Sequence, residues 1–157
     1  MKRRFLCFGC AILAALALCA CGRDSEITQF KDAIDSFCTN ISTIDTAINN
    51  IDAESDTAAS ELLLHLDELD AEFKTFGELD FPDEFNYLEP LADESSTYMT
   101  EAVSSYHEVY KDDSSYNTSN AAYAKENYAR AYKRVQIIIA FLHGEDPENM
   151  GLIITEE

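Results

Sequence analysis

One stripe of side chains constrains this chain more than anything else in it. Ile27, Phe30, Ile34, Phe37, Ile41, Ile44, Ile48 and Ile51 follow one another at spacings of three and four residues, and no member is polar. A repeat averaging 3.5 residues, kept up for nearly four heptads, requires a helix that buries one edge against other helices. The residues between are mostly Asp, Thr, Asn, Ser and Lys, which suit a wetted face. The reading is a first helix over about 25–52. Its many β-branched residues lower intrinsic helix propensity, so packing must hold it. Its unbroken Ile and Phe edge makes it the expected spine on which the other helices pack.

Three more helices are read the same way. Ala59, Leu62, Leu66, Leu69, Phe73 and Phe76 form a second stripe, with Ser55-Asp56-Thr57 as its cap and Gly77 as its stop. Phe81-Pro82-Asp83-Glu84 reads as a fresh N-terminus, since proline and acids suit a first turn. Pro90 then implies a break or a kink, with the third helix proper over about 90–111. Its looser stripe is Leu88, Leu91, Ser95, Tyr98, Ala102, Tyr106 and Val109. The polar run 111–118 is a loop, and Ser119 is the expected cap of a fourth helix over about 120–143. Ala121, Ala124, Tyr128, Ala131, Val135, Ile138 and Leu142 line it, small at its start, so another helix should approach closely there. Gly144 ends it. The sequence therefore predicts an all-α chain, an antiparallel up-down-up-down four-helix bundle over 27–143. A three-helix core with one detached helix is the alternative. Residues 144–157 read as an acidic tail.

The first twenty residues have another character. Met1-Lys2-Arg3-Arg4 is basic, and Phe5 to Leu18 is an apolar run of 14 residues. At about 1.5 Å per residue that run falls short of a bilayer core of about 30 Å. Basic start, short apolar stretch and small residues are the layout of a secretory signal over 1–20. Leu18-Cys19-Ala20-Cys21 resembles the lipobox of bacterial lipoproteins, with Leu at −3, a small residue at −1 and then Cys. Cys at −2 departs from the usual residue. The resemblance covers residues 1–22 only. It implies diacylglyceryl transfer to Cys21, cleavage before it, a short tether over 21–26, and an extracytoplasmic protein held to the membrane by its N-terminal lipid. Two acyl chains anchor stably where one is marginal. Cys7, Cys10 and Cys19 would leave with the signal, and Cys38 would remain with no intramolecular disulfide partner.

Charge excludes one class of partner. The whole chain carries a formal charge of −19, and beyond residue 22 eight basic residues face thirty acidic ones. Nucleic-acid binding needs a basic surface, so none is expected. Chemistry-bearing constellations are also missing from the sequence. A di-iron bundle needs Glu-x-x-His on two helices, but Leu62, Ser104 and Ala140 stand three before His65, His107 and His143. Asp52, Glu54 and Asp56 have the opening spacing of an EF-hand, but Thr57 and Leu63 stand where Gly and Glu are required. Glu61 and His65, one turn apart, read as a surface ion pair. No catalytic residue, cofactor or metal site is expected, and the chain reads as a non-enzymatic binding or structural module.

The candidate recognition surface rests on asymmetry. All eight tyrosines lie between Tyr87 and Tyr132, and Lys125, Arg130, Lys133 and Arg134 are half of the basic residues past the signal. Aromatic and Arg side chains dominate interface energetics, whereas Asp and Glu are depleted there. Tyr110, Tyr116, Tyr123, Arg130 and Arg134 are therefore the binding candidates, for an envelope protein or glycan partner. Capture of a peptide, glycan or cation on this Tyr-rich face is the alternative reading. Tyr98, Tyr106, Tyr128 and Tyr132 are expected to share one seam between the third and fourth helices.

Overall fold

The computed structural model describes residues 25–111, 117–148 and 151. Cys21, Tyr116 and residues 152–157 lie outside them, and with them the signal, most of the expected tether and most of the tail; Ser25 and Glu26, expected in the tether, belong to the first helix. The described residues form four α-helices: α1 (Ser25–Asn49), α2 (Ala58–Gly77), α3 (Glu89–Val109) and α4 (Thr118–Leu142). A single 3₁₀ turn, Asn86–Leu88, precedes α3. The chain is all-α and its helices make a bundle.

The stripes turn inward. Phe30, Ile34, Phe37 and Ile41 of α1 meet Leu66, Leu69, Phe73 and Phe76 of α2 in one core with Val135 and Ile138 of α4. The Phe37 ring stacks on Phe76 at 4.2 Å between centroids and meets Phe73 edge-on at 5.3 Å. Phe73 also reaches across to Tyr132 at 5.4 Å. Burial weakens toward the end of α1, where Ile44 and Ile48 are only partly covered, as is Ile51 just beyond it. The helix stops at Asn49 rather than near 52, because Asp52 turns the chain: its side chain accepts from Glu54 N at 3.1 Å, and Ser55 N bonds back to Asp52 O at 2.9 Å.

Three expectations need correcting. No helix starts at Pro82. Phe81 and Pro82 are buried, Phe85 N bonds Pro82 O at 2.7 Å in a turn, and the Phe81 and Phe85 rings lie 4.8 and 5.7 Å from Phe30. The linker thus uses its aromatics to cover the first turns of α1. Pro90 does break the helical run, sitting in the first turn of α3 where its missing N–H costs nothing. The deepest line on α3 is Leu88, Ala92, Ser95, Met99 and Ala102, with Leu91, Tyr98 and Tyr106 on its flanks. The cap of α4 is Asn117, not Ser119: its side chain accepts from Ser119 N and Asn120 N, both at 3.1 Å.

The spine also differs. α3 packs most closely, chiefly on α4 and then on α2, while α1 lies mainly on α2. Side-chain size explains this. Ala92, Ser95 and Ala102 on α3 and Ala124, Asn127 and Ala131 on α4 are all buried and small, so the two backbones come close. The large Ile and Phe of α1 hold their neighbours further off. At the far end of α4, Gly144 takes φ +71, and Glu145 N bonds Ala140 O at 2.8 Å, closing the helix in a Schellman motif.

Candidate functional site

α4 carries two pairs of hydrogen-bond donors at i, i+4 spacing, one on each flank, and each pair closes on one carboxylate. On the α3 side, Tyr123 Oη donates to Glu101 Oε2 at 2.7 Å, and Asn127 Nδ2 donates to the same oxygen at 3.0 Å. On the α1 side, Tyr128 and Tyr132 both donate to Asp45 Oδ1 at 2.8 Å. Their rings stack at 4.9 Å, which fixes the two hydroxyls side by side.

The second cluster is the more buried and its electrostatics are distinctive. Burial raises the Asp45 carboxyl above its ordinary value, against the two tyrosine hydrogen bonds, which lower it. Burial, with the Asp45 charge behind it, pushes the Tyr128 hydroxyl far above the ordinary phenol range. Tyr132 rises too, through burial first and then its neighbours Tyr128 and Asp45. Both phenols therefore stay protonated at physiological pH and act as donors, not as bases or nucleophiles. The arrangement can hold a carboxyl group and take up a proton.

Of the four tyrosines expected to share one seam, Tyr98, Tyr106, Tyr128 and Tyr132, Tyr106 of α3 does lie near Tyr128 of α4, but Tyr98 stands apart. Tyr128 and Tyr132 face α1, whereas Tyr98 lies under the α4 arginines. The guanidinium carbons of Arg130 and Arg134 sit 5.6 and 5.7 Å from its ring centre. Arg130 also pairs with Glu126 at 2.7 Å, and Arg134 donates to Glu94. Tyr123, Arg130 and Arg134 do share one face of α4, since steps of 7 and 11 residues return to within about 20° at 100° per residue. The arginines are already engaged by the protein itself, and Arg134 is largely covered, its side chain 13% exposed. Tyr110 and Tyr123 remain exposed, and Tyr116 lies outside the described residues.

The remaining polar candidates have local work. Thr57 gives its hydroxyl to Glu61, so His65 pairs instead with Glu68 at 2.8 Å, correcting the expected Glu61–His65 pair. His107 meets Asp67 at 2.7 Å, and Thr100 donates to Asp70 at 2.6 Å. Cys38 is half-buried beside the core. A shallow groove of about 260 Å³ runs between α1 and α2 over Phe37 and Phe76, crossed by the Asn40–Glu72 hydrogen bond. Among the described residues, no three His, Cys, Asp or Glu side chains gather as a metal site, and no helix is long and apolar enough to cross a membrane.

Sequence reading missed Asp45. It directly follows stripe residue Ile44, and an acid at such a flank reads as solvated. The signal lay in α4, where a Tyr pair at i, i+4 borders the apolar stripe and needs an acceptor for its hydroxyls once buried. Comparison with known protein families, characterised proteins and solved structures finds no match to this chain.

Proposed function

We propose that this protein is a lipid-anchored, extracytoplasmic module that acts by binding or by its architecture rather than by catalysis. The observation that carries the reading is the Leu18-Cys19-Ala20-Cys21 sequence behind a basic start and a short apolar run. The fold supports it in one respect. The described part of α1 starts at Ser25, four residues past Cys21, so a lipid on Cys21 would hold Ser25 within about 14 Å of the acylated residue. We take the helices as an antiparallel up-down-up-down bundle. Supporting pairs run in opposite senses along neighbouring helices: Phe37 with Phe76 and Asn40 with Glu72, Asp67 with His107 and Asp70 with Thr100, Glu94 with Arg134 and Glu101 with Asn127. In that arrangement the connection between α3 and α4 stands at the end away from the tether.

The recognition surface of this reading is that outer end, around Tyr110, Tyr116 and Tyr123. Two exposed tyrosines flank the connection, while the arginines further along α4 are bound to Glu94, Glu126 and Tyr98. The partner is an envelope protein or glycan. Mass spectrometry of the membrane fraction should find a diacylated peptide beginning at Cys21, and Cys21→Ser should leave the protein unprocessed or released. An unmodified N-terminus elsewhere overturns the reading. With a partner in hand, the triple change Tyr110→Ala, Tyr116→Ala and Tyr123→Ala should weaken binding at unchanged helical content, whereas Thr43→Ala with Thr46→Ala on α1 should not. The reverse pattern would move the site to the other half of the molecule.

A further inference from the structure

The seam between α1 and α4 is built unlike the others. α3 and α4 touch along small residues, and α1 and α2 along stacked phenylalanines, but the α1 and α4 backbones hardly approach each other. What spans the gap is long: Tyr128 and Tyr132 reach out from α4, and both end on one oxygen of Asp45. Among the described residues, what acts on that carboxyl is burial and the two tyrosine hydrogen bonds. From α4 come the two phenols, from α3 the Tyr106 side chain beside Tyr128, and from α2 the Phe73 ring against Tyr132. An ionised Asp45 is met there by two hydroxyl dipoles.

We propose that Asp45, Tyr128 and Tyr132 form a proton-responsive clasp, in which an uncharged Asp45 seats the end of α1 against α4 and an ionised Asp45 loosens it. The neutral carboxyl keeps an acceptor oxygen for the tyrosines and loses the cost of a half-buried charge. The linkage has a definite sign. Burial raises the Asp45 carboxyl, so the closed seam binds the proton more tightly than the open one. Its stabilisation is fully present below the ordinary Asp range and is lost as pH rises through the closed-state midpoint. Acid tightens the seam and neutral pH relaxes it. The rest of the chain, strongly acidic, also gains from acidification through reduced self-repulsion. A pH profile of the wild type alone therefore does not isolate the clasp, and a difference between two proteins does.

The test compares the whole protein, purified in detergent, with its Asp45→Asn variant by hydrogen–deuterium exchange at about pH 3, below the ordinary Asp range, and at about pH 7.5. Asn keeps the carbonyl acceptor without the charge. At the higher pH, amides 41–49 should exchange more slowly in the variant, by about tenfold for each unit by which the Asp45 midpoint exceeds that of an unfolded Asp. At the lower pH the two proteins should converge. Tyr128→Phe removes one donor, which the charged carboxylate holds more strongly than the neutral one, so it should speed exchange in the same segment more at the higher pH than at the lower. A difference between wild type and Asp45→Asn that is equal at both pH values, or faster exchange in Asp45→Asn at the higher one, overturns the proposal. Should either variant fail to fold, carboxyl-carbon NMR titration of the wild type decides. An Asp45 midpoint above the ordinary Asp range supports the clasp, and one at or below it refutes it.

Discussion

Ile41 is 1% exposed, in the middle of the α1 edge, and belongs to the same buried cluster as Leu69, Phe73 and Val135. Truncation to Ala should remove about 2–5 kcal/mol of stability in urea denaturation, the usual range for a large aliphatic lost from a core. That is a large part of a typical total of about 5–15 kcal/mol. Asn at the same position should be worse, because its amide would be buried without a partner. A loss under about 0.5 kcal/mol for Ala would show that the side chain is not held in the core. Residue-scale legibility follows the chemistry. Ile41 and Phe73 could be placed from spacing alone, since an apolar side chain in register has one place to go. Asp45 could not, because its burial depends on two tyrosines more than eighty residues away meeting it across a seam. Asn117 and Ser119 are both good caps two residues apart, and only the path of the chain into α4 decides between them.

At the scale of helices, close approach matters as much as apolar area. Gly77 reads in the sequence as a stop signal, yet it is the last residue of α2 and its φ is not positive. The reason for glycine lies on α3: a Cβ at 77 would stand 2.9 Å from Ser96 Cβ. Gly77→Ala should therefore destabilise the protein by about 1–3 kcal/mol through overpacking. It should do so although Ala is about 1 kcal/mol better than Gly in a helix interior. Urea denaturation checks this, and a stabilised variant would mean that α2 and α3 can part there without cost. The same rule separates what was legible in α3 from what was not. Its existence and its start near Pro90 follow from local chemistry. Its true inner line, through Ala92 and Met99 rather than Leu91 and Tyr98, is set by the smallness that α4 demands of its neighbour. Hydrophobicity ranks Leu above Ala, but the tight interface selects Ala.

For the whole molecule, charge is the dominant surface property. A formal −19 over 157 residues, with few described ion pairs to offset it, leaves a field that repels itself. Raising ionic strength from about 0.01 M to about 0.1 M shortens the screening length from about 30 Å to about 10 Å. The thermal midpoint should rise, by roughly 2–4 °C for each kcal/mol of repulsion removed in a chain of this size. A midpoint that falls with added salt would mean that attractive pairs such as Lys74–Asp70 and Arg130–Glu126 outweigh the repulsion. The fold class was legible at this scale because four stripes with few turn residues between them leave little else to build. The recognition surface was legible only as a bias in composition, since tyrosines can serve a seam or a solvent face equally well. The structure divides them between the two.

The close fit of α3 to α4 also bears on how the chain acquires its shape. These two helices are joined by a short connection and meet along alanines and a serine, side chains that lose little rotamer freedom when buried. Contacts between sequence neighbours close small loops, which form quickly and at low entropic cost. The α3–α4 hairpin is thus suited to assemble early, presenting Tyr128, Tyr132, Val135 and Ile138 as a preformed wall. The Asp45 bonds, spanning 83 and 87 residues, close the longest loop of any side-chain pair described here. Closing so long a loop carries the larger entropic cost, so these bonds are expected to form after the contacts between neighbouring helices.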